Sequence, residues 1–392
     1  MSVEHAKPDV AIVGGGPIGL ASAWRAAQRG LRVCVLDAGE PGAWHVAAGM
    51  LAPVAEAQFG EDALLDVSLR AAAEFPGFCA SLAEASGSDP GLRPSGTLVV
   101  ARDRDEAEAL DRLLAFRQRL GLRVERLLPT AARRAEPALA PTVRLALDIA
   151  GDHSVDPRRL VAALHEAVRR AGGLVRAGAR VAGLTVERER VTGVRLADGG
   201  SLAAGAVVVA AGAHAGALGA IPVRPVKGQL LRLRDARGPG LVERTIRTHD
   251  AYLVPRADGR YVLGATMEER GFDTAPTAGA VFELLRDVSE VVPGVLELEL
   301  EELLAGLRPA TPDNLPAIGR GELDGLFWAT GHYRNGILLS GLTGDLVAAA
   351  LCGEEPPDWA APLDPARFAG VPAPPVPDGA ELNGVSAAGV PA

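Results

Sequence analysis

Residues 9 to 37 set an apolar run, a glycine turn, a stretch with helical spacing and a second apolar run in succession: "DVAIV", "GGGPIG", "LASAWRAAQRG" and "LRVCVLD". Two continuous β-branched runs separated by a helix of that length predict a βαβ unit of a parallel sheet. Residues 105–120, "DEAEALDRLLAFRQRL", repeat apolar positions at helical period with acids in the first turn, which predicts an amphipathic helix. Residues 156–171 predict another, with Pro157 suited to the first helical position. From 174 to 212 the pattern shortens to strands, with a turn at "ADGG" and a buried run "AVVVAAG" at its end. "AYLVP" and "RYVLGAT" flank the turn "RADG" as a hairpin, and 277–292 return to helical spacing. No fixed-period repeat interrupts this order.

A βαβ unit first and antiparallel ribbons later predict an α/β fold, a Rossmann-like domain interleaved with an α+β domain built on an antiparallel sheet. The length of 392 residues exceeds what one hydrophobic core supports, in keeping with two domains or one large α/β domain with an insertion. The last residues, "VPAPPVPDGAELNGVSAAGVPA", are too rich in Pro, Gly and Ala to order themselves.

Composition removes several function classes. Apolar residues make up 48% and charged residues 23%, as in soluble globular chains. The net charge of −9 is interspersed, so no basic stripe exists for nucleic acid. Cys34, Cys79 and Cys352 form no CxxC pair, no Cys/His cluster and no disulfide pattern, so no metal is expected. The first residues reach glycine before a signal-peptide apolar stretch could form, and no apolar run is long enough to span a bilayer. A cytoplasmic protein without membrane partners is expected.

Gly14, Gly16 and Gly19 match GxGxxG between strand and helix, the context in which the pattern binds a dinucleotide. Gly14 permits the tight turn, Gly16 the approach of a pyrophosphate to backbone, and Gly19 close packing of helix on strand. The helix N-terminus offers its first N–H groups to phosphate. Asp37 ends the second strand about 20 residues on, where a carboxylate meets ribose hydroxyls and repels a 2′-phosphate. NAD and FAD remain open on these grounds, and a single fingerprint implies a single dinucleotide.

Further motifs carry a resemblance. "VAIVGGGPIGLASAW", "AAGMLAP", "VVVAAGA", "PVKGQLL", "YLVPRADGRYVLGATME", "GLRPATPDNLPAIG" and "TGHYRNGILLSG", collinear over residues 9–368, resemble the FAD-dependent D-amino-acid oxidase superfamily. Within it they are most similar to the glycine oxidases of the thiazole branch of thiamine biosynthesis. The resemblance implies an FAD-binding domain from residues 1–88, 146–220 and 307–368, a substrate domain from 89–145 and 221–306, and a disordered tail at 369–392. It places FAD against Gly14, Gly15, Gly16, Pro17, Ile18 and Gly19, then Asp37 and Ala38, then Ala48, Gly49 and Met50, with Val181 at the adenine and Gly212 beyond it. Gly331, His332, Tyr333, Arg334, Asn335, Gly336, Ile337 and Leu338 would line the pyrimidine edge of the flavin.

For the substrate, the resemblance assigns Arg308 to the carboxylate, Tyr252 to a hydrogen bond, Met267 to the pocket wall and Arg334 to a second cation nearby. A planar guanidinium suits a carboxylate because its fork engages both oxygens. The implied reaction is oxidative deamination of glycine or a related small amine to imine and glyoxylate, with O2 reduced to hydrogen peroxide. The imine would pass to a thiazole synthase, and a homo-oligomer is expected. The alternative within the superfamily is a D-amino-acid or sarcosine oxidase or dehydrogenase. Covalent relatives carry a cysteine just before the segment aligned with "RPATPD"; "LLAGL" stands there, so FAD should be noncovalent. Lys227, His45 and His214 are left without a role.

Overall fold

The computed structural model describes residues 7–371, so the expected tail at 369–392 lies almost wholly outside the described residues. Val10–Val13 is an interior strand of a six-stranded sheet, and all four of its residues are buried. The order of this sheet is Ala317–Arg320, Leu326–Thr330, Ala206–Val209, Val10–Val13, Val33–Asp37, Leu174–Ala177. Every neighbouring pair is parallel except the first. Burial on both faces explains why these runs read as continuously apolar.

Helices Pro17–Gln28, Asp62–Ser86, Pro157–Arg170 and Ser340–Leu351 contribute to one core against this sheet. Pro17–Gln28 and Ser340–Leu351 approach closely because their contact is small: a Cβ on Gly344 would sit 2.9 Å from the Ala21 carbonyl. A second core holds Val191, Val194 and Leu196 against Val207, Val209 and Trp328.

An eight-stranded sheet carries the other half: Glu299–Ala310, Arg224–Arg234, Arg260–Gly264, Tyr252–Pro255, Thr245–Arg247, Thr97–Ala101, Leu145–Ile149, Glu125–Leu127. It is antiparallel except where Thr245–Arg247 runs alongside Thr97–Ala101. The fold is thus the expected α/β arrangement, a Rossmann-like sheet interleaved with an antiparallel one. Strand pairing keeps the chain in the eight-stranded sheet through Ile149 and again through Ala310. Among the described residues, no helix is long and apolar enough to cross a membrane.

The predicted helices appear at Arg104–Arg119, Pro157–Arg170 and Ala278–Ser289. Each starts where a side chain replaces the missing backbone partner: Asp103 accepts from Glu106 N, Asp156 from Arg158 N, and Thr277 from Ala280 N.

Candidate active site

Arg308 lies near the end of the Glu299–Ala310 strand, opposite Val226 of its neighbour. A Cβ on Gly228 would lie 2.4–2.5 Å from the Arg308 guanidinium, so that glycine is the floor on which the fork rests. The Arg308 Nη1 donates to the carbonyls of Lys227 at 3.3 Å and Thr266 at 3.1 Å. These bonds orient the group without neutralising it. Tyr252 begins its strand opposite Gly264, and a Cβ there would meet the phenol at 2.7 Å, so the ring lies on bare backbone. Burial raises the phenol above its ordinary pKa, with the charge of Arg308 opposing. The hydroxyl therefore keeps its proton at neutral pH.

Arg334 reaches the same neighbourhood from the loop after Leu326–Thr330. The Tyr333 N–H donates to the Pro309 carbonyl at 2.8 Å, one residue beyond Arg308. Tyr333 takes φ of 46°, a left-handed conformation uncommon outside glycine that recurs at functional loops. The Arg334 Nη2 lies 3.5 Å from Glu61 Oε2 at the start of the Asp62–Ser86 helix, and its Nε is buried without a partner. The guanidinium also sits 5.2 Å from the Tyr333 ring centre. Met267 is 67% exposed and joins the cluster only through its sulfur, which accepts the Tyr333 hydroxyl at 2.9 Å.

Two charged residues that the sequence reading left out also stand here. Arg247 pairs directly with Tyr252 across the hairpin, and paired residues share a face. Its Nη1 donates to Glu56 Oε1 at 2.7 Å. Burial alone would raise the Glu56 pKa, but Arg247, Arg334 and Arg308 together hold it below the ordinary carboxylate value. The signal existed: "TIRTHDAYLVP" is a hairpin whose register brings Arg247 to Tyr252. For Glu56 the sequence offered only its place after "AAGMLAP".

The glycine turn fits a dinucleotide. Gly14 has φ of 118° and no room for a side chain, since a Cβ would lie 2.3 Å from the Ala210 carbonyl. Gly19 is equally constrained, at 1.9 Å from the Gly14 carbonyl. Gly16, by contrast, caps the Pro17–Gln28 helix without any side-chain bond, and its nearest neighbour is Trp44 at 3.4 Å. The helix N-terminus is thus left open to an anion. Pro17 and Ile18 are buried in its first turn. Asp37 leans over Gly15 and accepts from the Gly39 N–H at 3.0 Å; Ala38 beside it is exposed.

The other expected FAD contacts divide by cause. Gly49 is required by packing, since its Cβ would meet the Val155 carbonyl at 2.0 Å, while the Ala48 carbonyl accepts from Arg256 at 2.5 Å. Met50 pairs with Ser154 in a short ribbon. Val181 opens a half-buried strand, and the Gly212 carbonyl accepts from the Thr330 hydroxyl at 3.3 Å. In the 331–338 loop, Gly331 takes φ of 79° over Thr311, a Cβ on Gly336 would make ordinary contact with the His332 side chain at 3.5 Å, and Asn335, Ile337 and Leu338 are buried. His332 turns its side chain away to Thr343, at 2.9 Å.

The residues without an assigned role each have a partner in the fold. Lys227 is 1% exposed and bonds Asp273 at 2.8 Å and the Ala275 carbonyl at 2.6 Å. His214 stacks on Phe272 at 5.1 Å, and His45 Nε2 meets Arg158 at 2.8 Å. Among the described residues, no cluster of His, Cys, Asp or Glu is arranged to hold a metal.

Comparison with known proteins speaks to the family and the fold. The family model DAO, FAD dependent oxidoreductase, matches residues 9–350. A glycine oxidase of Geobacillus kaustophilus is 38% identical over 87% of this chain and 92% of its own length. A crystal structure of glycine oxidase from that organism superposes with a TM-score of 0.86 at 36% identity, over 92% of this chain and 99% of that one. The hydrogen cyanide synthase subunit HcnC of Pseudomonas aeruginosa is 32% identical over 93% of this chain and 97% of its own. The bifunctional protein ThiO/ThiG of Synechocystis is 33% identical over 94% of this chain, which spans 55% of that longer protein.

Proposed function

This chain belongs to the DAO family of FAD-dependent oxidoreductases, and on that premise we propose that it oxidises glycine. The observation that carries the reading is Arg308, a half-buried guanidinium resting on Gly228, held by main-chain carbonyls and without a carboxylate partner among the described residues. The turn from Gly14 to Gly19 would hold the FAD pyrophosphate and Asp37 the ribose. The 331–338 loop and the helix that starts at Ser340, whose first turn has no side-chain cap, would hold the flavin edge. Bound FAD supplies the two-electron oxidation of the amine. "LLAGL" offers no tethering cysteine, so the cofactor is held noncovalently.

Arg308 binds the substrate carboxylate through its fork, and the Tyr252 hydroxyl, kept protonated by burial, donates a second bond to it. Together they fix Cα, which is the chain's main contribution to rate. Arg334 closes the loop over the site through Glu61. No side chain is needed as a base: the substrate reacts as its neutral amine, and His332 is buried and committed to Thr343. The imine hydrolyses to glyoxylate and ammonia, or passes to a thiazole synthase, as the likeness to ThiO/ThiG favours. Oxygen is the acceptor and a homo-oligomer the assembly. The same site also takes sarcosine and small D-amino acids, with less contact beyond Cα.

Likeness to the hydrogen cyanide synthase subunit favours a second reading, in which the imine formed at the same glycine site loses two further electrons to the reoxidised flavin and its carboxyl group as CO2, giving cyanide. Product analysis separates the two, glyoxylate and ammonia against cyanide. Replacing Arg308 by Ala tests the reading common to both. Loss of a charge-assisted bidentate partner is worth about 2–3 kcal/mol, so KM for glycine should rise about 30- to 150-fold. An unchanged KM would remove Arg308 from the site.

A further inference from the structure

We propose that the Arg247–Glu56 ion pair sets the charge of substrate the site accepts: by reserving Arg247, it admits amines with one carboxylate and rejects those with two. The proposal rests on the assignment of Arg308 to the substrate carboxylate.

Three guanidiniums, those of Arg247, Arg308 and Arg334, share this site with two carboxylates, Glu56 and Glu61. Arg247 and Glu56 are joined at 2.7 Å with side chains only 20% and 16% exposed. Arg334 has Glu61 at 3.5 Å. Arg308 has only carbonyls. One cation is thus left without a carboxylate, and a substrate with a neutral amine and a single carboxylate completes the balance. A second carboxylate would enter with no free cation and with the Glu56 charge against it, which is costly in a partly desolvated site.

Both members of the pair are held in place. Arg247 is fixed by its cross-strand position beside Tyr252. Glu56 follows a backbone segment clamped from behind: the Asp152 carboxylate accepts from Val54 N at 3.2 Å and Ala55 N at 2.6 Å, and Arg117, 2% exposed, donates to the Ala55 carbonyl at 2.7 Å. A carboxylate on so restrained a segment cannot swing away to release Arg247. Neutralising it, by contrast, frees the guanidinium for a second acidic group.

The first measurement uses oxidised holoenzyme and reads flavin absorbance, so it needs no turnover; a kinetic ratio then checks it. Acetate and malonate are titrated into wild type, Glu56→Gln, and the double variant Glu56→Gln with Arg247→Leu. The ratio of malonate to acetate affinity should rise about tenfold or more in Glu56→Gln, as one new charge-assisted contact allows. It should fall back in the double variant. The kcat/KM ratio of iminodiacetate to glycine should move the same way. A ratio that stays put in Glu56→Gln, or stays raised without Arg247, overturns the proposal. Should Glu56→Gln fail to retain flavin, Arg247→Gln serves alone. With Glu56 left unpaired, acetate must bind several-fold more weakly and Arg247→Lys must restore it; unchanged acetate affinity overturns the proposal. If wild type is neither reduced by glycine nor perturbed by acetate, the Arg308 assignment falls and takes the proposal with it. If glycine reduces the flavin and only the ratio fails to move, the proposal falls alone.

Discussion

His332 is 3% exposed, its Nε2 meets the Thr343 hydroxyl at 2.9 Å, and burial lowers its pKa to about 3. In the sequence the resemblance sets it in the loop along the flavin edge; in the fold its side chain pins that loop to the first turn of the Ser340–Leu351 helix. The linkage has a definite sign. Between about pH 6.5 and about 3 the unfolded chain takes up a proton that the folded chain refuses, so stability falls with pH across that window by about 1.4 kcal/mol per unit. Asp152, raised to about 7 by burial, contributes the opposite slope between its ordinary value and about 7. A single variant separates them: His332→Gln should lose less Tm than wild type when pH is lowered from about 7.5 to about 5. Equal losses would show that the imidazole is charged in the fold. At this scale Arg308 and Tyr252 were legible because their motifs carry them. Glu56 was not, since its partnership with Arg247 depends on a contact across nearly two hundred residues, while Arg247 was signalled only by the hairpin register that sets it beside Tyr252.

Elements were legible where one period and one glycine requirement agree. The Val10–Asp37 unit is such a case, for its strands are buried on both faces and its turn admits no Cβ at Gly14 or Gly19. Replacing Gly19 by Val should therefore push the helix off the strand and abolish flavin retention, read as flavin absorbance per protein after gel filtration. Full flavin content would mean that the turn is not the cofactor's seat. The 25-residue Asp62–Ser86 helix was hidden because Pro76 and Gly77 sit inside it, and both residue types argue against helix. The strand Glu299–Ala310, paired with Arg224–Arg234, was obscured for another reason: its first three residues are exposed and Glu interrupts its first half, so it lacks an apolar run.

At the scale of the molecule, the candidate site is assembled from five separate stretches: the segment around Glu56, the hairpin of Arg247 and Tyr252, the Arg308 strand, the loop of Arg334, and the glycine turn. The hydrogen bond from Tyr333 N to the Pro309 carbonyl joins two of them directly. The two-sheet plan could be anticipated from the order of element types, while the net charge of the site could not, because it follows from which side chains the two sheets bring together. That surplus of one cation is why a small amino acid with a single carboxylate is the expected ligand. The most direct test is anaerobic addition of glycine to the purified flavoprotein. Glycine should bleach the oxidised flavin band, and admitting oxygen should restore it with release of peroxide. A flavin band that glycine leaves unchanged would contradict glycine as the substrate.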